Sequence, residues 1–307
     1  MLNILHRCVY WLLTASLLLF AMCEVVMSSQ FQTTAFPKQD SLSFRQRQPY
    51  GVNYFGKSAF SRNVLQDAAF AGKTFVKDGL WIYSSPTRFN KRSALLFGGV
   101  LAIGVGLYFA DDVISDGLRR NSEYWAYEPF RKTGNAVEPV GRQATMNKYV
   151  FGSAMLCYIV GFERGARMFS EILESYLIAG LPKVAANRIA GRPRPLDGKQ
   201  WNYWEAFGGG QSFYSGHASH AFQIARIIDE HVRFLPLEIA LYTAATSVGV
   251  QRVSSGWHWA SDVWLGGVYG LVVADAITGC HRKQWPTIQP MSFNSGTAQG
   301  VNMVVNF

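Results

Sequence analysis

Three short segments carry side chains whose types and spacing suit chemistry on a phosphate ester: NRIAGRPRP at 187–195, SFYSGH at 212–217 and RVSSGWHWASD at 252–262. A phosphoryl group needs donors around its equatorial oxygens, a nucleophile on one side and a proton donor for the departing oxygen. Arg194 and Arg252 can hold oxygens bidentately, as a lysine cannot. Ser215 and Gly216 open a helix in this pattern, and a helix start with free N–H groups is an anion site. A helix beginning around His258 places Asp262 one turn on, where its carboxylate orients the imidazole for attack on phosphorus. His217 is the candidate proton donor, a role typically contributing about 10²–10⁴ in rate.

Each segment alone has a plainer reading. The Arg-Pro-Arg-Pro run suits a solvated turn, Ser215 an ordinary N-cap, and His258, between Trp257 and Trp259, a buried structural histidine. Together and in this order they point to phosphoryl transfer. No Walker loop, HExxH motif or cysteine cluster competes with them, and the chemistry requires no metal and no cofactor.

The combination resembles the signature of the type 2 phosphatidic acid phosphatase family, which shares a superfamily with bacterial class A acid phosphatases and vanadium haloperoxidases. That signature reads K-x6-R-P, P-S-G-H and S-R-x5-H-x3-D. It is matched here by Arg194 and Pro195, by Ser215, Gly216 and His217, and by Arg252, His258 and Asp262. The resemblance covers residues 80–280 and implies an all-α bundle with the site between helices and a phosphohistidine on His258. Three positions depart from it. Asn187 stands where the family has its lysine, Tyr214 replaces the proline and Gln251 the serine. The last two are expected to alter loop shape more than charge. Loss of the lysine removes one phosphate-binding cation, and removing one such donor can cost about 10²–10³ in rate. Lys183, one turn earlier, or the adjacent Arg188 are the candidates to replace it, although Arg188 points about 100° away on an ideal helix.

The elements that must position these residues are helical. Apolar periodicity predicts helices near 147–162, 168–190, 218–232, 236–250 and 259–279, and an amphipathic helix within 63–83 ended by Pro86. The stretch SALLFGGVLAIGVGLYFADD at 93–112 is near the lower length for a bilayer span. Its glycines suit close helix packing, and it equally suits the central helix of a soluble bundle. Glu171, Glu174, Glu238 and Asp275 predict wet faces on the bundle. Cys157 is expected as a buried free thiol. The tail GVNMVVNF alternates weakly, like a strand.

The expected organisation is a signal peptide or anchor at 1–29, an irregular region with one amphipathic helix at 30–90, an all-α phosphatase-like bundle of about six core helices at 91–282, and a tail at 283–307. The leader has a basic start, an apolar core and small residues after it. Of the 307 residues, 49% are hydrophobic and 16% charged, with a formal net charge of +9. That charge suits phosphorylated or acidic-lipid partners, and nothing resembles a nucleic-acid module. The expected protein is an exported phosphatase of the cell envelope, acting on a phosphomonoester or lipid (pyro)phosphate on the periplasmic side. Association with the membrane is compatible with this, whether soluble, anchored or integral. The aromatics Trp201, Tyr203, Trp204 and Phe207 suit a lipid tail or simple loop packing. The competing functions are a catalytically weak phosphate- or phospholipid-binding envelope protein, marked by Asn187, and a vanadium-dependent haloperoxidase.

Overall fold

The computed structural model describes residues 64–284 together with 287–294 and 299–306. The leader and most of the irregular N-terminal region lie outside these residues. The described fold is eight helices followed by a hairpin: α1 (Val64–Tyr83), α2 (Lys91–Arg120), α3 (Glu128–Val137), α4 (Gln143–Ile159), α5 (Glu163–Ala190), α6 (Gly216–Val232), α7 (Leu235–Ser254), α8 (Ala260–Gln284), β1 (Thr287–Asn294) and β2 (Gln299–Asn306). The bundle is all-α, as expected. The strands pair antiparallel, from Thr287 opposite Asn306 to Asn294 opposite Gln299.

Local chemistry explains the element ends. Pro86 sits in a 3₁₀ turn that ends α1's run, and Asn90 caps α2 by accepting from the Ser93 N–H at 2.8 Å. A helix cannot continue through Gly191, whose φ of 57° favours glycine. α1 packs into the bundle through Ile82 beside Ile178, Ala179, Val273 and Ile277. α3 was not among the expected helices, although Phe130, Gly134 and Val137 share one face of it. It docks through Gly134, where a Cβ would stand 2.3 Å from the Ser247 carbonyl oxygen of α7.

α6 and α8 form the centre. Gly266 and Gly270, one turn apart on α8, bring its backbone against α6. A Cβ on them would lie 2.3 Å and 2.2 Å from the carbonyl oxygens of Ser215 and Ser219. This small-residue seam is the close packing expected of the glycines in α2. In α2 itself, Gly98 and Gly106 face open space, and Gly104 makes only ordinary contact with Leu265.

Two expectations are corrected by burial. α2 is not the central helix of the bundle but a peripheral one, with Leu95, Phe97, Leu101, Val105, Phe109 and Val113 exposed. Its buried positions include Ser93, Gly104, Asp111 and Ser115, so small and polar groups face inward and large apolar ones outward. Of the four charges assigned to wet faces, Glu171 and Asp275 turn inward, while Glu174 and Glu238 are half-buried. Asp275 pairs with Arg226 at 2.6 Å, and Glu171 lies between His231 and His281. α2, with a mean hydropathy of 2.0 over its best window, and α8, at 1.5, are long and apolar enough to cross a membrane. Cys157 is half-buried rather than buried.

Candidate active site

The three segments meet at one end of the bundle, where α5 ends, α6 begins and α7 passes into α8. α8 starts at Ala260, two residues later than expected, so His258 lies in the preceding turn. This changes the role of Asp262. Its Oδ2 reaches back to the Trp259 N–H at 3.1 Å, half of a capping box. The same oxygen accepts from Ser212 Oγ, and Oδ1 accepts from Arg192 Nη1 at 2.7 Å. The imidazole of His258 is held elsewhere, by the Ser212 carbonyl oxygen 2.7 Å from Nδ1. A carbonyl only accepts, so Nδ1 carries the proton and the neutral ring has its lone pair on Nε2. Asp262 therefore bears on the His258 ring through Ser212 rather than directly.

Arg192 was not among the sequence candidates and is the hub of this support. Buried to 1% exposure, it also bonds Ser261 Oγ at 2.9 Å, Asp111 Oδ2 at 2.7 Å and the Trp201 carbonyl at 2.9 Å. Its guanidinium lies over the rings of Tyr108, Trp204 and Trp259. Asp111 in turn accepts from the Ser261 N–H at 2.8 Å. The network ties α2 and α8 to the loop beneath His258. Its signals in the sequence were the first arginine of RPRP and an aspartate ending an apolar run.

The candidate phosphate-binding arginines, Arg194 and Arg252, both lie close enough to His258 for their charges to act on it. Arg194 is half-buried over Trp257, bonded to Gln211 at 3.2 Å. Arg252 is buried, its Nε donating to Gln251 Oε1 at 2.6 Å and its Nη2 to Glu138 Oε1 at 3.1 Å. Gln251 thus lies on a helix and orients the arginine, rather than reshaping a loop. Ser215 is the N-cap of α6, accepting from the Ala218 N–H at 3.4 Å. Its own N–H donates to the Asp262 carbonyl at 3.0 Å and is not offered to an anion. The helix-start site is reduced to the N–H groups beyond it.

Asn187 is buried, and its neighbours fix its amide. Its nitrogen donates to the Phe213 carbonyl and its oxygen accepts from Lys183 Nζ at 2.9 Å. The lysine stem lies along the start of α6, where a Cβ on Gly216 would stand 3.2 Å from Lys183 Cε. Lys183, half-buried, is therefore the cation beside the helix start, while Arg188 is exposed.

Glu138, in a 3₁₀ turn at Glu138–Gly141, was also missed because nothing in its segment resembles a site. Its Oε1 stands 3.3 Å from His217 Nε2. Gly141 permits this approach, since a Cβ there would lie 2.6 Å from the His217 ring. Burial raises the Glu138 carboxyl, but the bond from Arg142 and the charge of Arg252 outweigh it and hold the group below its ordinary range. Burial lowers His258 to about 3, opposed by the Ser212 hydrogen bond and reinforced by the charges of His217, Arg194 and Arg252. Burial and Arg252 lower His217 to about 4, with Glu138 opposing. Arg252 thus acts on both imidazoles, and Arg194 on His258.

Residues 169–286 match the PAP2 superfamily. The chain is 32% identical over 114 residues to a lipid A 1-phosphatase of Porphyromonas gingivalis, covering 36% of this chain and 23% of the relative. It is 31% identical over 148 residues to lipid phosphate phosphatase 1 of Arabidopsis thaliana, covering 38% of this chain and 44% of that one. The chain thus spans less than half the length of either relative. A solved structure, the first transmembrane PAP2 type phosphatidylglycerolphosphate phosphatase from Bacillus subtilis, aligns over 59% of this chain and 96% of its own, with 24% identity and a TM-score of 0.30.

Proposed function

We propose that the protein is a phosphatase that hydrolyses a lipid phosphate through a phosphohistidine intermediate. The observation that carries this reading is the His258 ring, its Nδ1–H held by the Ser212 carbonyl and its Nε2 lone pair left for a phosphorus atom, in the field of Arg194, Arg252 and His217. The Nε2 lone pair forms a bond to phosphorus as the P–O ester bond breaks. His217 gives a proton to the departing alkoxide, and Glu138 at 3.3 Å stabilises the imidazolium that gives it. Water then attacks the phosphohistidine and loses its proton to His217, releasing phosphate and restoring His258. Arg194, Arg252 and Lys183 hold the equatorial oxygens throughout.

A lipid substrate is favoured by the surroundings. Trp201 and Trp204 pack on Tyr108 of α2 at 4.9 Å and 6.0 Å, joining the site loop to the exposed apolar stripe of that helix. Phe109, whose ring centroid lies 6.2 Å from that of Trp201, is 69% exposed, and Phe207 of the same site loop is 76% exposed. An acyl chain lying along α2 leaves its phosphate at the arginines, and α2 itself suits a bilayer. The activities in the names of the two curated relatives agree with this class of substrate. The leader suits delivery to the cell envelope, with the site on the periplasmic side.

Purified protein is assayed for phosphate release from phosphatidate and from p-nitrophenyl phosphate. The expected result is turnover that His258→Ala abolishes, with a ³²P-labelled, acid-labile protein adduct trapped in the wild type. Orthovanadate binding without turnover is the outcome that leaves only a phosphate-binding protein, and peroxide-dependent bromination the one that indicates a haloperoxidase.

A further inference from the structure

A second cluster of titratable side chains lies at the opposite end of the bundle, and the phosphatase chemistry does not use it. Fourteen residues of α6 separate His217 from His231, roughly 20 Å along the axis. Here Asp78 of α1, Glu171 and Glu174 of α5, His231 of α6 and His281 of α8 converge. Asp78, Glu171, His231 and His281 are 1%, 2%, 1% and 4% exposed.

The geometry is that of ligands around a common centre. His281 Nδ1 stands 2.9 Å from Glu171 Oε1, which fixes the proton on Nδ1 and turns the other ring nitrogen inward. His281 Nε2 then faces Asp78 Oδ2 at 3.0 Å and Glu174 Oε2 at 3.2 Å, yet it makes no hydrogen bond to either. Glu174 Oε1 likewise has no hydrogen-bond partner. One donor atom from each of Asp78, Glu174 and His281 lies within 4.8 Å of the others. Nitrogen and oxygen ligands about 2.0–2.2 Å from one ion stand about 3.0–3.5 Å apart at octahedral to tetrahedral angles. The two distances from His281 Nε2, 3.0 Å and 3.2 Å, fall in that range.

We propose that Asp78, Glu174 and His281 bind a divalent transition-metal ion of the zinc type, with Glu171 as the carboxylate that orients the histidine. A histidine whose second nitrogen is held by a carboxylate is the usual support of a metal-bound imidazole. Glu171 itself is shared with His231 at 2.8 Å. One imidazole and two carboxylates favour zinc over magnesium or calcium, which prefer all-oxygen sites. Because the ligands come from α1, α5 and α8, the ion is structural. It pins the first described helix to the bundle, remote from His258.

Full-length protein in detergent is stripped with EDTA, desalted and titrated with ZnCl₂, with MnCl₂ and MgCl₂ as comparators; bound metal is measured by mass spectrometry and thermal stability by melting. The wild type is expected to retain about one zinc per chain, to melt higher with zinc, and to bind zinc more tightly than manganese or magnesium. Glu174→Gln and His281→Ala are expected to weaken zinc binding at least 100-fold, and Glu171→Gln 10–100-fold. Helical circular dichroism shows that each variant is folded. If one fails to fold, the stripped wild type alone decides. No zinc retained, unchanged affinity in the folded variants, or tighter magnesium binding each overturns the site.

Discussion

Lys183 Nζ and the side-chain oxygen of Asn187 are 2.9 Å apart, one helical turn apart on α5, with the lysine stem lying against the first turn of α6. We propose that the cation the family signature places at the second of these positions is supplied here from the first. Lys183→Ala is expected to lower kcat/KM for a phosphomonoester by about 10²–10³. Asn187→Lys in that background is expected to recover most of the loss, because it restores an ammonium at the family position. Steady-state kinetics of the single and double variants check this. Equal activity of Lys183→Ala and wild type sinks it.

Asp262 acts on His258 at one remove. Its carboxylate holds Ser212 Oγ while the Ser212 carbonyl holds His258 Nδ1, and it also neutralises Arg192. Asp262→Asn therefore strikes both stability and catalysis. Breaking a buried pair by removing one partner costs about 3–5 kcal/mol. Ser212→Ala removes only the hydroxyl and leaves the carbonyl bond to His258. It is expected to lower kcat modestly, with little change in melting temperature, whereas Asp262→Asn lowers both. Melting curves and kcat measured on the two variants separate these outcomes.

Much of this was legible in the sequence because it is local. His258, His217, Arg194 and Arg252 sit in short segments whose spacing is itself the signal, and the helices that carry them have apolar periodicity. What escaped is what depends on the third dimension. Arg192, Asp111 and Glu138 are distant in sequence, and only packing shows that they support the site. The error over Asp262 came from assuming that the helix starts at His258. With the start at Ala260, the same carboxylate caps the helix instead. The misplaced wet faces have a related cause: a charged residue in an apolar helix reads as surface, yet Asp275 and Glu171 find partners inside.

Acid should destabilise the fold through its two site histidines. Both are depressed from an ordinary value near 6.5, His258 to about 3 and His217 to about 4, chiefly by burial. The unfolded chain therefore binds more protons than the native one below about pH 6.5. The stability is fully present above that value and is lost as pH falls through 4 toward 3. Melting temperature is expected to fall between pH 6.5 and 4, and His217→Gln should flatten part of the slope. An anion in the site opposes the depression of His217, so orthovanadate is expected to inhibit more tightly at pH 5.5 than at pH 8. Inhibition constants that rise on acidification contradict this coupling.

The aromatic bridge from α2 to the site makes a prediction about substrate choice. Trp204 lies 38% exposed, its ring 5.3 Å from Phe213 and its indole N–H bonded to Tyr108 at 3.0 Å. Phe207 has no such packing and projects outward. Its loss should be felt only by a substrate with a tail. Phe207→Ser is expected to raise KM for phosphatidate in mixed micelles several-fold, since removing one exposed apolar contact forfeits about 1–2 kcal/mol. Its kinetics with p-nitrophenyl phosphate should match the wild type. Trp204→Ala should act in the same direction but also loosen Arg192, over which it stacks at 4.9 Å, and so lower kcat with both substrates. Parallel kinetics on the lipid and the soluble ester decide the matter. If Phe207→Ser changes both equally, the loop packs against the bundle and the acyl chain lies elsewhere.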